Sequence, residues 1–386
     1  MKRFSAIAST LLVALAAAAL SAPFAAAAPK EVLTPVIARV IATPEAVLAD
    51  DNRQHLAYEL ELANRAPQKI TVRSIQALAG GKVVGSLAGA RIKTMMVPYG
   101  GGPGNVLAGG QGAYVLMDVS FPAKAKLPQR LVHRLRTVES DPSPANANRY
   151  LAAPTRVIRR PAVVLAPPLR GPGWVVGNGC CADFTAHRGT VLPVNGRNWV
   201  AERFAIDFVQ LTAANRMVDG PPDMLSSYPF FGATIYSAAA GRVVGVLDGI
   251  PETPAGTFPP NIGAAEAGGN HVVVDIGHGR YAFYAHMQPG SIMVRKGQRV
   301  RAGQPLGLLG NSGNSDAPHL HFHVMDGPLP LASNGVPFRF TNFTVRGTIS
   351  NLEELTKGAV AAIDQKPLGP RQRQLPLDNQ IVDFQP

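Results

Sequence analysis

Cysteine is almost missing from this chain: Cys180 and Cys181, side by side, are its whole supply. Neighbouring Cα atoms sit about 3.8 Å apart, below the usual range for a bridge. The pair is therefore either a strained vicinal disulfide or two thiols, and neither is a four-cysteine zinc site. Aromatic residues make up 6% and charged residues 16% of the sequence, against 39 glycines and 34 prolines. That balance argues against long helices and for short strands joined by turns. Acidic residues number 25 against 37 basic ones, for a formal charge of +12. The charges are scattered and no nucleic-acid motif is present, which excludes nucleic acid as a partner. Anionic envelope polymers are the expected surroundings of such a basic chain.

Only one long apolar run exists. It extends from about Ala6 to Ala19 behind Lys2 and Arg3, and it leads into a small-residue stretch ending at Ala28. This is the pattern of a signal peptide over 1–28, cut after Ala27 or Ala28. No second run is long enough to span a bilayer. The expected mature protein is exported and soluble, periplasmic or extracellular, with no transmembrane anchor.

The fold class is mainly β. Leu56, Tyr58, Leu60 and Leu62 alternate with Ala57, Glu59 and Glu61, a period of two with one buried face. Turns at Asn64–Pro67 and Gly80-Gly81 separate further short strands, so 29–138 reads as a β-sandwich of the Ig-like kind. His55 and His133 are structural or surface residues in it. Residues 139–179, rich in proline and glycine, read as a semi-extended connector. A second β domain follows over 180–346. The tail 347–386 holds one short helical stretch, Leu352 to Ile363, and then a polar end expected to pack loosely.

The second domain holds seven of the nine histidines. Three of them alternate in Pro318-His319-Leu320-His321-Phe322-His323. Side chains two apart on a strand share a face about 7 Å apart, so this row is suited to hold a metal ion and to assist at its water. Leu320 and Phe322 turn the other way, into a core. His271 and His278 flank a strand and are read as structural. Asn270 is read as a turn residue held by its amide. The basic residues Arg295, Lys296, Arg299 and Arg301 are read as a solvated face. Loops at 219–223 and 249–269 are candidates for the walls of a groove.

Several motifs of this domain occur in a telling order. They are Ala238-Ala-Ala-Gly-Arg-Val-Val244, Gly269-Asn270-His-Val-Val-Val-Asp275 and Tyr284-Ala285-His286. Val294 to Gly307, Gly310-Asn-Ser-Gly-Asn-Ser315 and Pro318 to Phe322 follow. Through most of 203–327 the chain resembles the lysostaphin-like (LytM-type) zinc metallopeptidases, which cut peptide bonds in bacterial peptidoglycan. The resemblance implies an antiparallel-β domain related to the barrel-sandwich hybrid and a Zn2+ cofactor. It implies peptidoglycan, or another extracytoplasmic peptide, as the substrate. It places zinc on Asp207 and His321 and makes His286 and His319 the catalytic pair.

One position departs from the pattern. The family's first zinc ligand is a histidine four residues before the aspartate, and here that residue is Arg203, whose guanidinium stays protonated and cannot ligate zinc. Three protein ligands and a water are the norm for catalytic zinc. Either His187 supplies the third ligand, or the site is degenerate and binds envelope polymer without cutting, or it holds metal weakly on two ligands. His323 shares its face with His321 and is placed to support the site rather than to ligate. The hairpin Val294 to Leu306 also resembles a lipoyl-type carrier, but no lysine stands at a carrier turn and the histidine row would go unexplained.

Overall fold

The computed structural model describes residues 31–385. The segment read as a signal peptide lies outside the described residues.

Two five-stranded sheets build the first unit. One runs in the order Val36–Val40, Arg53–Asn64, Gly112–Pro122, Met96–Pro98, with Ala46–Leu48 added beside Arg53–Asn64. The other runs Arg149–Arg156, Arg130–Glu139, Ile70–Ala79, Lys82–Ala88, with Val106–Leu107 beside Ile70–Ala79. Leu56, Tyr58, Leu60 and Leu62 from the first sheet and Ile70, Val72, Ile75 and Leu135 from the second enclose one core. Each such leucine, fully buried, contributes about 2 kcal/mol.

The alternation in Arg53–Asn64 has a second meaning. His55, Ala57 and Glu59, on the face expected to meet water, are buried as well. Ala57, with Val47 and Ala49, packs into the core of the second unit. Charge pairs cross this contact: buried Glu59 with Arg203, and Glu45 with Arg280 at 2.7 Å and Arg160 at 3.4 Å.

The second unit is organised by one long sheet. Its order is Val163–Leu165, Phe338–Ile349, Gln380–Phe384, Gly171–Gly177, Ile206–Gln210, Leu320–Met325, Arg280–Met287, Asn270–Gly277, Gly241–Leu247, Arg299–Val300. Phe208, Phe322, Phe338, Phe340 and Phe384 pack ring against ring on its inner face. The stretch 139–179 is thus more than a connector, since Arg149–Arg156 completes a sheet of the first unit and Gly171–Gly177 a central position of this one. The tail is also ordered into the sheet: Gln380–Phe384 lies between Phe338–Ile349 and Gly171–Gly177. The helix expected over 352–363 covers only Leu352–Leu355, because Gly358 turns the chain at φ +82° and Ile363–Asp364 pairs with Phe338–Ile349. Cys180 and Cys181 are joined in a vicinal disulfide. No helix of the described residues is long and apolar enough to cross a membrane.

Candidate metal centre

Three adjacent strands carry the centre. Asp207 on Ile206–Gln210 is the direct partner of His321 on Leu320–Met325, and His321 is the partner of Ala285 on Arg280–Met287. Directly paired residues point to the same face of a sheet. The Asp207 and His321 side chains therefore meet, Oδ1 to Nδ1, at 3.0 Å. His319 stands one residue before its strand and sets Nε2 3.3 Å from the same oxygen.

His187 reaches the other carboxylate oxygen, Nε2 to Oδ2, at 3.1 Å. It rides on the one-turn helix Ala186–Gly189, whose Thr185 hydroxyl caps it by accepting from Arg188 N–H. The His187 Nδ1–H donates to the Ala205 carbonyl at 3.1 Å, which leaves the lone pair of Nε2 facing the carboxylate. This helix is wedged against the first unit. The Tyr114 hydroxyl donates to the Gly189 carbonyl at 2.9 Å, and buried Arg188 donates to the carbonyls of Met117, at 3.1 Å, and Cys181. Arg203, at the position where the resemblance implies a ligand, turns away. Its guanidinium donates through Nε and Nη2 to the Glu59 carboxylate, the Nε contact to Oε2 being 2.9 Å.

His286 closes the Arg280–Met287 strand at φ +61°, a backbone region few residues other than glycine adopt. Two bonds hold it there, from His286 N–H to the Gly268 carbonyl at 2.9 Å and from Nδ1 to the Ser312 carbonyl at 2.7 Å. The approach requires glycine at 269, where φ is +56° and a Cβ would sit 2.2 Å from Ser312 O. Asn270 fastens the base of the 249–269 loop by accepting from Ile250 N–H and donating to the Ile250 and Met287 carbonyls. The His286 and His319 ring centroids are 4.6 Å apart.

Charge is concentrated on one carboxylate. Burial alone would raise the Asp207 carboxyl, but His187 and His319 hold it well below its ordinary range. Burial would lower His187, and Asp207 outweighs it and pushes the ring up to about 9. His319 is raised in the same way. Burial, reinforced by the neighbouring imidazoles, pushes His286 and His323 well below the ordinary histidine value. A carboxylate faced by three imidazoles is a donor-rich arrangement suited to a cation. The His187, Asp207 and His321 donor atoms lie within 4.8 Å of one another, and so do those of His286, His319 and His321. Two nitrogens and a carboxylate oxygen match the ligand types of catalytic zinc. The residues fit the ion.

One residue and one loop at the centre escape sequence reasoning. Asn178, at φ +56°, donates Nδ2–H to Asp207 Oδ2 at 2.9 Å, and only its Asn-Gly turn pairing hints at a special backbone. The Pro328–Leu331 loop lines the cleft without any motif. His323, buried, sets Nδ1 2.9 Å from His321 Nε2, and its own Nε2 has no partner among the described residues. The cleft over these groups has a volume of about 760 Å³. The 249–269 loop lines it through Phe258, Ala264, Ala265, Ala267 and Gly268, whereas 219–223 does not. His271, bound through Nδ1 to the Gly269 carbonyl, also lines it.

Comparison with known proteins bears on this domain. The profile of Peptidase family M23 matches residues 228–335, a segment that contains His286, His319 and His321 and begins after Asp207. The peptidoglycan DD-endopeptidase ShyA of Vibrio cholerae is 37% identical over 75 residues, covering 17% of this chain and 17% of the relative. ShyB of the same organism, also a peptidoglycan DD-endopeptidase, is 29% identical over 135 residues, covering 33% and 27%. The chain thus spans less than a third of either relative. Among solved structures, the catalytic domain of lysostaphin from Staphylococcus simulans is 21% identical with a TM-score of 0.23, over 40% of this chain and 80% of that one. The catalytic domain of EnpA from Enterococcus faecalis is 22% identical with a TM-score of 0.26, over 44% and 92%. By the profile match, together with the order of its glycine and histidine motifs, this chain carries a domain of peptidase family M23 at residues 228–335.

Proposed function

We propose that the protein is an exported zinc metalloendopeptidase that hydrolyses peptide bonds in peptidoglycan or another envelope peptide. The observation that carries this reading is the clustering of the His187, Asp207 and His321 donor atoms within 4.8 Å of one another in the wall of the cleft. These three would hold zinc, with His187 standing in for the ligand lost at Arg203. Bound there, zinc supplies a Lewis acid for the scissile carbonyl and a water of lowered pKa.

The remaining chemistry belongs to the chain. With its Nδ1–H given to the Ser312 carbonyl, His286 keeps Nε2 bare, and that atom accepts the proton of the attacking water and passes it to the leaving amine. His319, fixed through Nδ1 by the Ala317 carbonyl at 2.8 Å, stabilises charge growing on the carbonyl oxygen. Asn178 holds the Asp207 carboxylate in place, and His323 orients His321. The rival reading, a centre that binds without cutting, draws on Arg203 alone. The Glu59 contact takes that arginine out of the centre, and His187 restores the donor count, which favours the peptidase.

The test is to incubate zinc-loaded protein with purified peptidoglycan and identify released fragments by mass spectrometry. Fragments from cut cross-links are expected. An intact polymer at one zinc per chain would overturn peptidoglycan as the substrate.

A further inference from the structure

The second sheet of the first unit sends Ile75, Ala77, Leu131 and Leu135 into the core and leaves its other face open. Cross-strand register shows what stands on that open face. Ser74, Arg136 and Arg149 form one row across three strands, and Gln76, Arg134 and Leu151 form the next. At the far end Arg130 faces Arg156. Two pairs of arginines are therefore set directly opposite each other, an arrangement that destabilises a sheet. Among the described residues none of these five arginines has an ion-pair partner. Glu139, the acid on the same strand, instead accepts from Gln68 and Asn146. Arg134 has one neutral contact, donating Nη1–H to Gln76 Oε1 at 3.2 Å.

Arg134, Arg136 and Arg149, with Ser74, Gln76 and Asn148, enclose a recess of about 470 Å³. Beyond Arg136 the row continues into small residues, Ser74 and Ala88, so the recess opens onto a flat shelf. Guanidinium groups are planar forks that take carboxylate or phosphate oxygens two at a time. Neighbouring strands lie about 4.8 Å apart, and same-face residues along a strand about 7 Å apart. The groups are thus spaced to meet more than one oxyanion, Arg149 beside Arg136 across the strands and Arg134 beside it along the strand. We infer that this face binds an anionic polymer whose oxyanions repeat along its chain, gripped by Arg134, Arg136 and Arg149. The inference stands apart from the chemistry of the cleft. It gives the first unit a role of its own, holding the protein on a charged matrix.

The test uses purified protein at physiological salt with two fluorescein-labelled probes, long-chain polyphosphate and polygalacturonate, read by anisotropy. Binding to the first assigns phosphate as the recognised group, and binding to the second assigns carboxylate. Arg136→Gln/Arg149→Gln is expected to weaken binding about tenfold. The control Arg295→Gln/Arg299→Gln removes equal charge from exposed positions of the second unit and is expected to leave binding within about twofold of the unaltered protein. The shelf variant is expected to melt at or above the unaltered protein, because like charges no longer oppose each other. Equal losses in both variants would reduce the effect to net charge and overturn the inference. So would no binding to either polymer, a lowered melting temperature of the shelf variant, or binding that only phosphatidylglycerol vesicles support.

Discussion

Restoring the family's histidine at position 203 should fail to improve the metal centre. Glu59 is fully buried and Arg203 is 3% exposed, and the guanidinium meets both carboxylate oxygens. Arg203→His would leave the Glu59 carboxylate buried without a partner, and removing one member of such a pair costs about 3–5 kcal/mol. Replacing both, as Glu59→Leu/Arg203→Met, should cost far less, because well-packed apolar pairs match or exceed buried ion pairs by about 1–4 kcal/mol. Urea unfolding followed by the fluorescence of Trp174 and Trp199 reads the stability of each variant, and competition with a chromophoric chelator reads zinc affinity. Zinc affinity is expected to be unchanged in the double variant and no tighter in Arg203→His. Tighter zinc in Arg203→His, or zinc retained when that change is combined with His187→Ala, would refute the assignment of Arg203 to the interface between the two units.

Two other outcomes follow from the geometry. His286→Ala should keep its zinc, since no ligand is touched, while peptidoglycan hydrolysis falls by about 10²–10⁴-fold; loss of metal in this variant would make His286 a ligand. His55 lies 3.0 Å from Asp51 and 2.9 Å from Asp118, and although burial would lower it, these carboxylates push it up to about 9. A folded-state value above the ordinary 6.5 means that its contribution is full below about pH 6.5 and is lost as pH rises through about 9. The urea midpoint should fall across that window, and His55→Gln should flatten the fall; an unchanged slope would contradict it.

What was legible in the sequence depended on how local its cause was. The alternation of His321 and His323 is set by strand geometry, and the glycines around Asn270 and Ser312 announce the turns that bring His286 in. His187 could be found only by counting ligands, because nothing in its own four-residue helix marks it. Glu59 looked like a solvent-facing residue since alternation reports one apolar face and is silent on the other. Its burial is decided by Arg203, 144 positions away. Gln380–Phe384 and Gly171–Gly177 were hidden for the same reason. Their proline- and glycine-rich surroundings suggest loose chain, but they become strands by pairing with each other and with distant neighbours.

The central claim is that His187 completes a zinc site with Asp207 and His321. It is tested most directly by zinc content per chain after dialysis, for the unaltered protein and His187→Ala side by side. One zinc in the first and none in the second is expected. An unaltered protein that holds no zinc, or a His187→Ala variant that retains it, would contradict the claim.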